Sequence, residues 1–372
     1  MRLNLNCRAS RALVLPLAMI GPELPGMPHA AAQGADVELA RRVATMGTAC
    51  ELEVRCATRA EALEASEAAL RALLAVEERL STWRTTSELS RLNAAPVGER
   101  FAASRELARD LVLCREWHAA TEGTFDPAVG PLVALWDLRG KGHIPTPAEL
   151  EGARADCGLE RAFEWDGSLV VRRTAGARLE EGAFGKGLGL DAALAELERR
   201  GARGLLDLGG QVATLGFERE VQLADPRDRG RPVLGWKLAS GSIATSGNSE
   251  SARVVDGVRV GHILDPRSGR PAADFGSITV HCASAARADA YSTAAFVMGP
   301  AEALRWDAAR ADVEIVALCV EGDTLVARAA AELRGTLRPL VEGLRIEFAP
   351  EATRVPEGTP EREARRQREE NR

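Results

Sequence analysis

Residues Leu205–Gly216 read LLDLGGQVATLG, two short apolar runs joined by a pair of glycines. Further short runs follow as REVQLADP, VLGWKLA, SIATSG and RVGHILDP, each next to turn-forming residues. Because short strands separated by glycine-rich turns are typical of hairpins, the spacing predicts an antiparallel meander rather than repeated strand–helix–strand units.

Helical segments flank this region on both sides. Apolar residues recur at helical spacing over Arg59–Leu80, after a strand beginning at Cys50. Further helices are expected near 105–121, 146–154, 190–201 and 286–298. A hairpin over 162–171 should turn at Asp166-Gly167, and 122–131 should be an ordered loop. The expected fold class is α+β, with mixed, largely antiparallel sheets packed with helices.

Composition and termini restrict the functional classes. The 372 residues are 45% hydrophobic with a net charge of −6 and no basic stripe, which argues against a nucleic-acid partner. Residues 1–32 resemble an export signal, with three arginines before the apolar run ALVLPLAMI and then HAAA; four prolines argue against a buried helix there. We expect an exported protein with a domain over 36–345, no membrane span in the mature chain, and a charged, disordered tail over 350–372.

Six cysteines lie beyond residue 32, and none stands at a spacing typical of zinc ligands. They can be buried thiols, or some can pair in an oxidising compartment; burial is the favoured interpretation. The cysteines are Cys50, Cys56, Cys114, Cys157, Cys282 and Cys319.

Two segments suggest phosphate or metal chemistry. LEEGAFGKG, residues 179–187, precedes a helical run, so its glycines allow close approach to an anion at a helix start; a structural turn explains them equally well. In ARADAYSTAAF, Asp289 and Thr293 lie one helical turn apart and present hard oxygen ligands that suit Mg²⁺. An exposed helix face or an ordinary hydrogen bond is the alternative.

Two further segments suggest binding or proton transfer. In GHILDPRSGRP, His262 is predicted within a strand that breaks at Asp265-Pro266, either as a packed residue or as a base. Met46 in MGTACELEV and Trp83 in LSTWRTTSELSRLN can stack on a ring system or pack in the core.

Taken in order, these motifs together with GTFDPAVGPLVALW and IATSGN resemble the ApbE family of FAD:protein FMN transferases over residues 43–325. The resemblance implies a T-fold-like domain that uses Mg²⁺ and FAD to attach FMN to a threonine of an acceptor protein, releasing AMP. It also implies a place in the periplasm or on the outer face of the inner membrane, with respiratory or ion-pumping flavoproteins as acceptors.

The resemblance also implies roles for individual residues. The metal ligands would be the main-chain carbonyl of Ala183 with Asp289 and Thr293, and His262 would stand beside the reacting phosphate. The expected FAD contacts are Met46, Trp83, Thr124, Phe125, Asp126, Glu180, Lys186 and Ile263.

The chain departs from the family pattern at two positions. Glu180 replaces an aspartate, and Gln211 removes a charge from the motif DLGGQ. These departures support a non-catalytic FAD-binding protein as one alternative. The other alternative is a Mg²⁺-dependent FAD pyrophosphatase, in which water takes the place of the threonine hydroxyl at the same site.

Overall fold

The computed structural model describes residues 36–248 and 253–350. The expected export signal lies outside the described residues, as does nearly all of the expected tail. None of the described helices is both long enough and apolar enough to cross a bilayer.

Helices dominate the first half of the described chain, and eight consecutive described strands lie between the seventh and eighth helices. The helices are α1 Arg59–Leu80, α2 Glu88–Ala94, α3 Arg105–Ala120, α4 Gly130–Leu135, α5 Pro147–Ala155, α6 Leu159–Ala162, α7 Gly185–Arg199, α8 Ala285–Met298 and α9 Pro300–Ala308, with a 3₁₀ turn at Ala331–Leu333. The strands are β1 Val37–Thr45, β2 Thr48–Cys56, β3 Arg100–Ala102, β4 Phe163–Asp166, β5 Leu169–Arg172, β6 Arg203–Leu208, β7 Gln211–Leu215, β8 Arg219–Asp225, β9 Asp228–Leu238, β10 Gly241–Gly247, β11 Arg253–Val255, β12 Val258–Val260, β13 Gly276–Cys282, β14 Glu314–Glu321, β15 Thr324–Ala329, β16 Leu337–Pro339 and β17 Arg345–Phe348.

A nine-stranded sheet in the order β1-β2-β6-β7-β10-β13-β14-β15-β17 forms the centre of the fold. Every neighbouring pair in it is antiparallel except β15 and β17. Three small sheets accompany it, with the orders β16-β9-β8, β3-β5-β4 and β11-β12. The predicted α+β class with largely antiparallel sheets is confirmed.

The middle strands of the large sheet are buried on both faces, whereas β1 and β2 are covered on one face only. On one face α1, α7 and α8 pack against inward-facing residues such as Leu52, Leu206 and Ile315. On the other face Val316 and Leu318 pack against the β16-β9-β8 sheet. Because successive strand residues face opposite sides, a strand covered on both faces is apolar throughout. This explains the uninterrupted run IVALCV in β14.

Local sequence signals set several helix bounds. The side chain of Thr58 accepts a hydrogen bond from the backbone N–H of Glu61 and the Glu61 carboxylate accepts one in return, so α1 begins at Arg59 and runs to Leu80 as predicted. Thr146 and Glu149 cap α5 in the same way.

The predicted meander is wrong beyond β7. After the β6–β7 hairpin the next neighbour of β7 is β10, and β8 and β9 belong to a separate sheet. The strand predicted around His262 is also wrong, because β12 ends at Val260. In the 162–171 hairpin Asp166 pairs with Leu169, so the turn lies at Gly167 and Ser168.

All six cysteines of the described residues are buried free thiols, as the favoured interpretation predicted. Burial raises the pKa of each, to about 11 for Cys50 and about 12 for Cys157. The described residues contain no group of three or more His, Cys, Asp or Glu that could hold a metal ion.

Candidate active site

A cavity of about 330 Å³ lies where the ends of β7, β10 and β13 meet α7 and α8. Each of the predicted site residues lines it except Met46 and Trp83. They come from four stretches of chain: 124–126, 180–186, 262–263 and 289–293. The fold thus brings together residues that are far apart in sequence.

The crossing of α7 and α8 holds the polar centre of this cavity. A Cβ at Gly187 would lie 2.3 Å from the carbonyl oxygen of Ala285, so the helices approach too closely for any side chain there. The Gly187 N–H donates to Asp289 Oδ2 at 3.0 Å, and Lys186 Nζ lies 3.2 Å from Asp289 Oδ1. Gly187 therefore allows α7 and α8 to pack closely. The same contact positions its neighbour Lys186 beside Asp289.

The first turn of α8 is fixed from two other directions. The carboxylate of Asp191 on α7 accepts hydrogen bonds from Ser284 Oγ at 2.6 Å and from the N–H groups of Ala285 and Ala286 at 2.7 and 3.1 Å. An acceptor at this position satisfies unpaired N–H groups and complements the helix dipole. Gln211 Nε2 donates to the Ala285 carbonyl at 2.8 Å. The helix that bears Asp289 and Thr293 is thus held by both α7 and β7.

The donor set at this centre fits Mg²⁺. Asp289 is only 4% exposed, and it lines the cavity together with Thr293 and Ala183, which offer a hydroxyl and a main-chain carbonyl. Hard oxygen ligands that leave positions for water and substrate phosphate are typical of Mg²⁺ sites. In this structure the cation that pairs with the Asp289 carboxylate is Lys186.

Hydroxyl groups form the wall next to Asp289. Ser246 Oγ and Ser292 Oγ lie 2.8 Å apart, and Ser292 Oγ donates to the Asp289 carbonyl at 2.9 Å. Thr245 Oγ1 lies 2.9 Å from Thr279 Oγ1 on the neighbouring strand. Ser292 thus ties α8 to the end of β10.

His262 lies in a bend just after β12 and is half-buried in the cavity wall. The following loop is self-supporting: the Ala272 N–H donates to the Ile263 carbonyl at 2.9 Å, and Asp265 Oδ1 accepts from the Arg267 N–H at 2.9 Å. Trp136 Nε1 donates to the Gly269 carbonyl at 2.9 Å. Asp265 and Pro266 therefore shape a turn that holds His262 at the cavity.

The side chains of residues 124–126 make their contacts within the protein. Thr124 Oγ1 donates to the Thr121 carbonyl at 2.8 Å, and the Phe125 ring packs edge-on against Trp117 and Phe184. Asp126 accepts from the N–H groups of Ala128 and Leu159 at 2.8 and 3.2 Å, and burial raises its pKa. Any contact from this segment to a ligand is expected through its main chain.

Glu180 carries a strongly perturbed carboxyl group at the cavity edge. Burial raises its pKa to about 7, although the Arg139 guanidinium, which pairs with it, acts in the opposite direction, and Glu181 adds to the rise. Thr82 Oγ1 lies 3.4 Å from Glu180 Oε2. At neutral pH this group is therefore divided between its charged and neutral forms.

The two remaining predicted residues lie outside the cavity lining. Met46 has φ 49° in the β1–β2 turn, donates its N–H to Glu77 Oε2 at 3.0 Å, and packs over Gly189 of α7. Trp83 is 72% exposed, and the Arg139 guanidinium lies 4.4 Å from its ring centroid. Its exposed ring is available for stacking, whereas Met46 packs within the protein.

Sequence reasoning did not single out several other cavity-lining residues. They include Thr245, Ser246, Ser277 and Arg229, while Gln211 was noted only as a departure from the family pattern. The motif IATSGN pointed to β10 without indicating which side chains it contributes. Nothing in the sequence pattern indicated Arg229, because its strand belongs to a different sheet.

The ApbE family profile matches residues 46–317, more than half of the chain. Curated relatives named FAD:protein FMN transferase include one from Vibrio cholerae, 31% identical over 62% of this chain and 72% of the relative. Another from Treponema pallidum is 30% identical over 70% of this chain and 79% of the relative.

Solved structures agree with the sequence comparisons. The flavin transferase ApbE from Vibrio cholerae superposes with a TM-score of 0.70 at 26% identity, covering 81% of this chain and 100% of that one. An ApbE protein from Thermotoga maritima gives a TM-score of 0.71 at 28% identity over 78% of this chain and 96% of that one. The chain described here belongs to the ApbE family.

Proposed function

We propose that this chain is a FAD:protein FMN transferase that transfers FMN from FAD to a threonine side chain of an acceptor flavoprotein, with Mg²⁺ and with release of AMP. The observation that carries the proposal is the cavity in which Lys186, Asp289, Thr293 and His262 meet. The similarity to relatives that are FAD:protein FMN transferases supports the flavin-transfer class.

The reaction requires a weak nucleophile to attack a negatively charged phosphorus. The bond that forms joins the threonine Oγ to the phosphorus of the FMN portion, and the bond that breaks joins that phosphorus to the bridging oxygen. The electron pair of the broken bond leaves with AMP. When bound, Mg²⁺ neutralises charge on the phosphate oxygens and helps to orient them.

The chain's own residues supply the remaining functions. Asp289 and Thr293 would hold the metal with the Ala183 carbonyl, and Lys186 would stay beside the phosphates as a second positive charge. His262 would accept the threonine proton during attack, a contribution typically worth about 10²- to 10⁴-fold in rate. The close contact at Gly187 keeps Lys186 on α7 in register with Asp289 and Thr293 on α8.

The acceptor and the location are part of the same proposal. The segment 1–32, with its arginines followed by an apolar run, supports export to the periplasm or the outer face of the inner membrane. A respiratory or ion-pumping flavoprotein with a threonine acceptor site would be met there.

The decisive experiment incubates the purified protein with FAD, Mg²⁺ and a threonine-bearing acceptor. A transferase yields a fluorescent acceptor band whose mass increase corresponds to FMN on threonine, together with one AMP for each FMN attached. FMN and AMP without a labelled band would favour the pyrophosphatase, and FAD binding without AMP would favour the non-catalytic protein. An acceptor with its threonine changed to valine is the matched control.

A further inference from the structure

His118 lies near the end of α3, and its imidazole packs on the loop that follows this helix. The ring atom Nδ1 is 2.9 Å from the Phe125 carbonyl oxygen and 3.7 Å from Asp126 Oδ2. Because a carbonyl oxygen can only accept, Nδ1 carries a hydrogen and donates it to Phe125. A Cβ at Gly123, where φ is 77°, would lie 3.4 Å from His118 Cε1. The imidazole therefore holds the loop from the side of α3.

The peptide group between Phe125 and Asp126 has one polar atom bound within the protein and one that is not. Its carbonyl oxygen accepts from His118, whereas the Asp126 N–H has no hydrogen-bond acceptor in the described part of the chain. In a planar trans peptide the N–H points opposite to the C=O, so the Asp126 N–H points away from His118. Asp126 is 7% exposed and lines the cavity. A buried donor without an acceptor is unfavourable, and an acceptor atom of a ligand in the cavity would satisfy it.

Other contacts fix the peptide groups on either side of this one. The Thr124 N–H donates to the Thr121 carbonyl at 3.0 Å, and the Phe125 N–H donates to Thr121 Oγ1 at 3.2 Å. The Pro127 carbonyl accepts from the Glu180 N–H at 2.8 Å, which ties the loop to another part of the cavity lining. Within the described chain, the Phe125 carbonyl is held by His118 only. The direction of the Asp126 N–H thus depends on this imidazole.

We propose that His118 is a positioning residue for FAD. It fixes the Phe125 carbonyl, and the rigid peptide group then presents the Asp126 N–H to an acceptor oxygen or nitrogen of FAD. This inference rests on the proposed function and adds to it a residue that does not itself line the cavity. An imidazole donates from Nδ1 whether or not Nε2 is protonated, so the effect does not require a charged histidine.

The test measures FAD affinity by fluorescence quenching in EDTA, so that turnover does not interfere. His118→Leu should weaken FAD binding about tenfold, because the peptide group loses the donor that orients it. His118→Asn should stay within about threefold of wild type, since an asparagine amide nitrogen lies close to the position of Nδ1. His118→Gln should behave like His118→Leu, because its amide nitrogen lies nearer to the position of Nε2.

Two further measurements define the role. The rate of AMP release at saturating FAD and Mg²⁺ should stay within about threefold of wild type in all three variants, because the proposed metal ligands and His262 are unchanged. Riboflavin titrations locate the acceptor atom. A loss of affinity shared by riboflavin would place the atom on the flavin ring or ribityl chain, and a loss confined to FAD would place it on the diphosphate or the adenosine. Either result supports the inference.

His281→Leu is the matched control. His281 Nε2 is 2.9 Å from the Ser240 carbonyl oxygen, and its side chain is 24% exposed, compared with 23% for His118. Neither His281 nor Ser240 lines the cavity. This variant should lose stability as His118→Leu does, as urea denaturation can measure, and yet bind FAD like wild type.

Three results would overturn the inference. Equal losses of FAD affinity in His118→Asn and His118→Leu would mean that the imidazole acts by filling space. Wild-type affinity in all three variants would mean that the loop keeps its orientation without the imidazole, and slower AMP release at unchanged affinity would assign His118 to the chemical step. A wild-type protein that binds FAD but labels no acceptor would contradict the proposed transfer, while the predicted order of the variants would still support this inference.

Discussion

The crossing of α7 and α8 and the rim of the cavity are stabilised by different kinds of contact. We define the rim as Trp83, Arg139 and Glu180. At the crossing, backbone atoms touch and Asp289 is 4% exposed. At the rim, side chains hold one another, and Trp83 is 72% exposed. The comparison indicates that the crossing fixes the proposed chemistry, whereas the rim can change shape or charge without disturbing the fold.

The strongest test of the crossing is Asp289→Ala. We expect Mg²⁺-dependent release of AMP to fall by about 10³-fold or more, because the metal would lose its only carboxylate ligand among the three proposed. The melting temperature should fall modestly, because the buried Gly187 N–H loses its acceptor, and circular dichroism can check that the variant stays folded. Asp274→Ala removes an exposed carboxylate that lies 3.7 Å from Arg259 and serves as the control. Undiminished AMP release from Asp289→Ala would refute the metal assignment.

His262→Ala tests the other proposed catalytic group. Transfer should slow by about 10²- to 10⁴-fold, with FAD affinity within a few-fold of wild type, because a base acts on the incoming hydroxyl in the transition state. Single-turnover transfer and fluorescence titration separate the two effects. His143→Ala is the control, since His143 is exposed and lies 3.4 Å from Glu149 outside the cavity. Parallel losses of rate and affinity would make His262 a binding residue.

Gly187→Ala addresses the contact between the helices. The new Cβ would lie 2.3 Å from the Ala285 carbonyl oxygen and 2.5 Å from the Ala286 Cα, so the helices must separate. We expect the free energy of unfolding to fall by about 3 kcal/mol in urea denaturation. Gly182→Ala is the matched control, because a Cβ there meets no atom within 4 Å. Equal stability of the two variants would show that α7 and α8 can separate without a loss of stability.

Glu180→Gln addresses the rim. The wild-type carboxyl has its pKa raised to about 7 in the folded protein from an ordinary value of 4.5, so the folded state binds the extra proton between these values. Wild-type stability should therefore decrease from pH 4.5 to 7, and the variant lacks this decrease. Its stability relative to wild type should rise by about 2 kcal/mol between pH 4 and 8, after allowance for solvent screening. A stability difference that does not vary with pH would argue against a perturbed Glu180.

Local signals explain which elements the sequence predicted well. The capping box of Thr58 and Glu61 and the leucine periodicity both belong to α1, so its bounds follow from neighbouring residues alone. The partner of β7 depends instead on contacts with β10, a strand about thirty residues away in the chain, and the β8–β9 hairpin in between forms another sheet. The spacing of strands along the chain carries no information about which sheet each strand joins.

The candidate site shows the same division. Asp289 and Thr293 were recognisable because both lie on one helix face, whereas His262 was assigned to a strand although β12 ends at Val260. The glycines of LEEGAFGKG suggested anion binding or a turn, but the reason for Gly187 is α8, which lies about a hundred residues further along the chain. Arg229 could be assigned to the cavity only from the tertiary structure, because it lies on β9, which belongs to the β16-β9-β8 sheet rather than to the large sheet.

The burial of the thiols affects the redox conditions under which the protein can fold. Thiol–disulfide exchange proceeds through the thiolate and requires access, and all six described cysteines are buried with raised pKa values. The six described thiols should therefore react slowly with oxidants and reductants alike. The described part of the chain would need neither an oxidase nor a disulfide isomerase to fold, and its fold should be the same under reducing and oxidising conditions.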